Sequence, residues 1–270
     1  AVYMKNQFAV TSNAQRFMGA LSALSHRGAS EASWVLLTGL PGLGKTELVE
    51  WWALTHDAVY LRAKASWTPR AAQLELAEKL GIAPSRSNAE LFGQILGVLG
   101  RNPVPIAIDE VEHCLRDAKV LEVFRDLSDL LEIPIVIVGM DAVRTQIQKH
   151  EQISSRIHQV VDFLPATPVD VRIMAETLVE PQLQWHDDLI EKICAESEGR
   201  FRLIMDALAA IERIAKRSGA RTVCAADFKD RLTHDWRLRV SRHKTGKPVK
   251  SDKSGQSDKP TLVATPGEQP

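Results

Sequence analysis

Residues 34–46 read Trp34-Val35-Leu36-Leu37-Thr38-Gly39-Leu40-Pro41-Gly42-Leu43-Gly44-Lys45-Thr46, and this stretch decides the fold. Trp34 to Thr38 is a short apolar run leading into a loop, the pattern of a buried strand. Gly39 to Thr46 match G-x-x-x-x-G-K-[ST] in full. The glycines let the backbone curl so that successive N–H groups point at phosphate oxygens. A helix starting near Lys45 adds the positive end of its dipole. In such a loop Gly39, Pro41, Gly42, Leu43 and Gly44 form the phosphate cradle, and Lys45 reaches the β- and γ-phosphates. The Thr46 hydroxyl ligates Mg²⁺, and Glu47 follows it on the helix. The expected chemistry is ATP hydrolysis with Mg²⁺.

A second stretch completes that reading. Pro105-Ile106-Ala107-Ile108-Asp109-Glu110 is an apolar strand ending in two acids. In a parallel sheet it delivers both carboxylates to the carboxyl edge, beside the loop. Asp109 then holds Mg²⁺, often through water, and Glu110 polarises the attacking water. An acidic pair that merely ends a strand is common on protein surfaces. Its place downstream of the phosphate loop favours the catalytic role.

The rest of the chain supplies the frame. Strands are expected at 34–38, 58–62, 105–108, 135–139 and 160–163, with helices between them. That alternation predicts an α/β P-loop fold, a five-stranded parallel sheet flanked by helices. Ser12 with Gln15, and Ser87 with Glu90, read as capping boxes opening helices. Ser66 or Thr68 caps a further helix that Gly81 closes. Residues 141–150 read as helical. After Pro165 the pattern turns helical throughout, over 170–179, 187–197, 201–217 and 225–232, with no strand expected. The expected division is an N-terminal segment and helix over 1–33, an ATPase core over 34–164, a helical lid over 165–240 and a basic, unstructured tail over 241–270.

Composition narrows the class. The chain has 270 residues, 44% hydrophobic and 25% charged, with a net charge of zero. Those values describe an ordinary globular protein. No apolar stretch is long enough to cross a bilayer, and no secretory leader is visible. Cys114, Cys194 and Cys224 are scattered and form no metal or redox motif, which fits a cytoplasmic protein. Zero net charge conceals a basic run: Arg237, Arg239, Arg242, Lys244, Lys247, Lys250 and Lys253 stand against Asp252 alone. Such a tail touches nucleic acid or an acidic partner, or is simply solvated.

Asp109-Glu110 after their strand, the following strand at 135–139 and the helical part together resemble the AAA+ superfamily. Within it the chain is similar, over about residues 8–232, to the transposition ATPases typified by the phage Mu B protein, on Phe8–Thr11 with the first helix, the loop with Thr46-Glu47, the strand 106–110, Ser155-Arg156-Ile157 and the segment 199–203. The resemblance implies ATP-dependent rings or helical filaments, duplex DNA bound without sequence preference, and recruitment of a DDE transposase. It places an arginine finger at Arg156, which reaches the γ-phosphate of a neighbouring subunit. It places the sensor arginine at Arg202, with Arg200 as the competing choice. It places DNA contact on Arg62, Lys64, Thr68 and Arg70, residue types that suit phosphate binding. Trp67 between them reads as packed on its own helix. Relatives usually carry Asn at the end of the fourth strand. Here Met140 holds that place, with Asp141 next, and the expectation is either that Asp141 substitutes for the amide or that hydrolysis is slow. The chain starts close to the ATPase core, so DNA contact is expected from the core or the tail. Two other classes share the nucleotide chemistry: a helicase loader or replication-initiation ATPase, and a protein-interaction module that does not bind DNA.

Overall fold

The computed structural model describes residues 4–5, 7–115, 117–180 and 183–233. The basic run from Arg237 onward lies outside them. Strands β1 (Trp34–Thr38), β2 (Val59–Arg62), β3 (Ile106–Asp109), β4 (Ile135–Val138) and β5 (Ile157–Asp162) form one parallel sheet in the order β2-β3-β4-β1-β5. Every residue of β1, β3 and β4 is buried, so these strands read as continuous apolar runs.

The two-residue period of a strand divides their side chains between two cores. Trp34, Leu36, Ile106, Ile108, Ile135 and Ile137 pack against α3 (Pro69–Lys79), α4 (Asn88–Arg101) and α5 (Lys119–Leu131). Val35, Leu37, Ala107, Val136 and Val138 pack on the other face against α1 (Ser12–Leu24) and α2 (Lys45–Thr55). The Trp34 indole also donates to the Ser128 hydroxyl at 2.9 Å, which lets a polar N–H be buried in the core. Trp52 is buried in the second core with its ring edge on Phe17, and Trp51 stacks on Phe8 at 4.0 Å.

Helix starts follow local chemistry. Thr68 caps α3 by accepting from Ala71 N–H, with Pro69 in the first turn. Ser87 caps α4 by accepting from Glu90 N–H. The Glu90 carboxylate bonds Ser85 rather than closing the box. Past β5, α8 (Pro168–Leu178), α9 (Asp187–Ser197) and α10 (Phe201–Ser218) surround a third core containing Val171, Met174, Ile193, Ile204 and Leu208.

Where α8 begins, one carboxylate ties this helical part to the sheet part. Asp170 is 2% exposed and accepts four hydrogen bonds, from Ser12 N–H, Ser12 Oγ, Thr167 N–H and Thr167 Oγ1. Asn13 adds a second tie, with Nδ2 donating to Leu164 O and Oδ1 accepting from Leu164 N–H.

Several expectations need correcting. The Ser12–Gln15 capping box does not form: Thr11 is the N-cap without a side-chain bond, because the Ser12 hydroxyl goes to the stronger, charged acceptor Asp170. The helix expected over 141–150 is broken into α6 (Ala142–Ile147) and α7 (Glu151–Ser154), since His150 leaves helical geometry at φ −111°, ψ 81°. The last strand starts at Ile157, earlier than expected. Its first residues are half-exposed at the sheet edge and so lack an apolar run. The helical part does contain strand, a two-residue parallel pair of β6 (Gln184–Trp185) and β7 (Thr222–Val223). Pairs that short show no alternation to read. The helix expected over 225–232 is a 3-10 turn over Ala225–Asp227, wound by the Asp227 carboxylate accepting from Cys224 N–H at 2.8 Å. The three cysteines are free thiols. Among the described residues no helix is long and apolar enough to cross a membrane.

Candidate active site

The loop between β1 and α2 lies at the carboxyl edge of the sheet. Gly44 adopts φ +86°, a conformation costly for other residues, and a Cβ there would sit 3.1 Å from the Phe201 ring. Glycine therefore permits both the turn and the seating of α10 against it. Lys45 folds back over the loop, with Nζ donating to Gly39 O at 2.6 Å and Leu40 O at 3.0 Å. Burial pulls the Lys45 pKa down, while the charges of Asp141, Asp109 and Glu112 push it back up. The ammonium thus sits in a half-dry site surrounded by carboxylates.

β4 lies between β1 and β3, so the hydroxyl of Thr46 must reach Asp109 across the end of that strand. It does so at 2.7 Å, donating to Asp109 Oδ2. Tyr60 donates to the same oxygen at 3.0 Å, and Glu110 N–H donates to Oδ1 at 2.8 Å. Burial and the Asp109 charge raise the Tyr60 pKa, which keeps the phenol a donor. Glu110 turns the chain at φ +55°, an uncommon value for a non-glycine residue. Its carboxylate pairs with Arg62 and lies 3.7 Å from His113 Nε2. The Arg62 hydrogen bond holds the Glu110 carboxyl below the usual carboxylate range.

These residues line a cleft of about 590 Å³ between the sheet edge and α10. Pro41, Gly42, Gly44, Lys45, Thr46, Glu47, Asp109 and Glu110 contribute from the sheet side, and Arg202 with Asp206 from α10. Arg202 N–H also bonds Gly42 O at 3.4 Å. Arg200, the competing choice, pairs with Glu198 at 2.9 Å. Leu43 points instead into the core and is 5% exposed. Met140 lines the cleft without a hydrogen-bonding group equivalent to an amide. A larger groove of about 1000 Å³ opens at the other end of the sheet, by Ala58 and Pro105, and holds none of the loop residues.

The residues present suit Mg²⁺. A hard cation takes oxygen ligands, and the Thr46 hydroxyl and Asp109 carboxylate already converge beside the phosphate loop.

Arg156 lies elsewhere. Its carbonyl accepts from Trp34 N–H, at the opposite end of β1 from the loop. Five strand residues span about 15 Å, so it lies too far away to complete the cleft of its own chain. It makes a two-pronged pair with Asp129 of α5, at 3.0 and 2.8 Å.

The expected strip of DNA-contacting cations is not a row of unengaged side chains. Arg62 faces the cleft and binds Glu110. Lys64 pairs with Glu75 at 2.8 Å. The Thr68 hydroxyl is occupied as a cap. Arg70 donates to Ser85 O at 2.6 Å and to Asn88 Oδ1 at 3.2 Å. Trp67 is buried, stacks on Phe124 of α5 rather than on its own helix alone, and donates to Glu75. Tyr60, Glu112 and Asp129 join the site or its arginine only through folding. Tyr60 bonds Asp109 on the next strand and Asp129 pairs with Arg156, so no local motif announces either.

Comparison with known proteins bears on the fold that carries this cleft. Residues 26–147 match the family model for an AAA domain. No curated protein matches the chain by sequence. Among solved structures, the Aeropyrum pernix ORC2 protein, in ADPNP–ADP complexes, is similar in fold with a TM-score of 0.64. It is 15% identical over 82% of this chain and 69% of its own. The Aeropyrum pernix ORC1 protein in complex with DNA gives a TM-score of 0.55, at 21% identity over 78% of this chain and 61% of its own. The Thermotoga maritima RuvB Holliday junction branch migration motor gives 0.51, at 19% identity over 78% and 64%. Residues 26–147 thus match an AAA domain, and the chain around them shares the α/β fold of these solved structures, a five-stranded parallel sheet flanked by helices.

Proposed function

We propose that the protein is a Mg²⁺-dependent ATPase that assembles on duplex DNA and recruits or activates a DDE transposase there. The observation carrying the ATPase reading is the convergence of Lys45, Thr46, Asp109, Glu110 and Arg202 on one cleft. Lys45 would leave its loop carbonyls for the phosphates, and Thr46 and Asp109 would hold the metal. Held there, Mg²⁺ would supply charge neutralisation for the phosphates during transfer. Glu110 orients the attacking water once Arg62 releases it. Arg202 brings a guanidinium from α10 to the phosphates, so ATP binding draws the helical part onto the loop.

The distance of Arg156 from its own cleft supports an oligomer, because it can act only on a neighbour's nucleotide. Asp129 then competes with that phosphate for the same guanidinium. An exposed pair of this kind is worth at most about 1 kcal/mol to stability. Asp129→Asn is therefore expected to fold normally and to assemble with ATP at about three- to fivefold lower protein concentration. Arg156→Ala is expected not to assemble. Sedimentation with ATP and ADP measures both, and an unchanged assembly midpoint in Asp129→Asn would rule out the competition.

DNA binding is supported by the family resemblance and by similarity in fold to a structure that is itself a DNA complex. Likeness in fold to the ORC proteins favours a second reading, a replication-initiation or helicase-loading ATPase. Random-sequence duplex and single-stranded DNA, titrated with ATP, ADP and no nucleotide across a salt series, separate the readings. The transposition reading expects ATP-dependent, salt-sensitive coating of duplex. Lys64→Ala and Arg70→Ala should each weaken it for all sequences and lower the salt slope by about one. A preference for single strands supports the second reading, and no DNA binding leaves an ATPase whose partner is a protein.

A further inference from the structure

A further carboxylate, beside Asp109 and Glu110, faces the nucleotide cleft. Glu112 sits in the 3-10 turn Val111–His113 that follows β3, and it lines the cleft with Lys45, Thr46 and Asp109. Its Oε2 is buried and accepts no hydrogen bond among the described residues. A carboxylate oxygen withdrawn from water without a donor is unfavourable and calls for an explanation. Lys45 is near, yet its Nζ donates to the loop carbonyls, and Lys149 shares a second pocket with Glu112 on the side away from the loop.

The end of β4 makes room for it. A Cβ on Gly139 would stand 2.5 Å from Val143 Cγ2 and 3.0 Å from Glu112 Oε2, so a larger residue there would push on both side chains. The next residue, Met140, is 50% exposed and offers the cleft only a weak thioether acceptor. The strong acceptor at this wall therefore comes from Glu112. Glu110, by contrast, is engaged by Arg62 and approached by His113.

We infer that Glu112 is a second catalytic carboxylate, which turns out from its buried place over Gly139 to accept a hydrogen bond from the water that attacks the terminal phosphate of ATP. The inference rests on the ATPase reading. In the step, the water oxygen forms a bond to the γ-phosphorus as the bond from γ-phosphorus to the β–γ bridging oxygen breaks. That electron pair leaves on ADP. The proton lost by water passes to the carboxylate pair and from there to the released phosphate. Glu112 holds the water while Glu110 moves between Arg62 and the cleft.

The test compares the full chain with Glu112→Gln, Glu112→Asp, Glu110→Gln and the double Gln variant. Phosphate release, affinity for a fluorescent ATP analogue, and the nucleotide recovered from protein incubated with ATP are read together. Glu112→Gln keeps the side-chain volume, and its turnover is expected to fall about 100-fold with analogue affinity within about threefold. ATP rather than ADP should be recovered from it. Glu112→Asp should regain part of the rate. The double variant should fall no more than about threefold below the worse single one, because both carboxylates act on one water. Wild-type turnover in Glu112→Gln overturns the inference and leaves the ATPase reading standing. A parallel loss of turnover and affinity overturns it too, since the residue would then shape the cleft. If Glu112→Gln melts early, Glu112→Asp decides by the same split. A wild-type chain that binds ATP without hydrolysing it overturns this inference and the ATPase reading together.

Discussion

Replacing Asp170 by alanine is expected to lower the stability of the protein by about 2–4 kcal/mol, the cost of losing charge-assisted hydrogen bonds and a helix cap at a buried site. The carboxylate is 2% exposed, and its loss strands the N–H groups and hydroxyls of Ser12 and Thr167. It also removes the capping box of α8 and the tie from α1 to α8. Asp170→Asn keeps the shape and one acceptor, so a smaller loss is expected. Burial alone would raise the Asp170 pKa, but the bonds from Ser12 and Thr167 outweigh it and hold the carboxyl below its ordinary value. A depressed carboxyl pKa contributes stability above the unfolded value of about 3.9, lost as pH falls through the folded value. Urea denaturation from pH 7 to pH 3 should therefore show a wild-type decline at the acid end that is smaller in Asp170→Asn. Parallel curves for the two proteins would remove Asp170 as its source.

Turnover is expected to fall roughly 100- to 10,000-fold in Glu110→Gln, with ATP affinity within about threefold, the range for loss of a general base. Glu110 reaches the cleft wall but does not touch the loop, so binding has little reason to change. Lys45→Ala differs in kind. Removing the one ammonium folded over the loop should abolish nucleotide binding itself. Phosphate release and analogue titration on the two variants distinguish these outcomes. A Glu110→Gln protein that hydrolyses ATP at the wild-type rate would transfer the water's acceptor to Glu112.

Both predictions depend on contacts of different legibility. Lys45, Thr46, Asp109 and Glu110 are legible because phosphate chemistry demands them at a fixed place after an apolar strand. The strands themselves are legible because β1, β3 and β4 are buried on both faces and leave continuous apolar runs. The start of β5 and the pair β6 and β7 are not, since edge exposure and shortness erase the pattern. Asp170 gives a partial signal. Thr167 and Asp170 announce a helix start, but the second pair of donors comes from Ser12, 158 residues away.

By itself the sequence determined the phosphate loop, the acidic strand end, the parallel α/β architecture and the helical part that follows. Those features are written in residue types at short spacing, where local geometry and the solvent preference of each side chain suffice. Only the tertiary structure decided that β4 separates β1 from β3, that Tyr60 bonds Asp109, and that Arg62 turns to Glu110. It also decided that Arg156 rests on Asp129 at the far end of β1 and that Glu112 fills the space over Gly139. The physical reason is common to all of these: each partner is brought in by strand order or helix packing, and no spacing along the chain encodes the meeting.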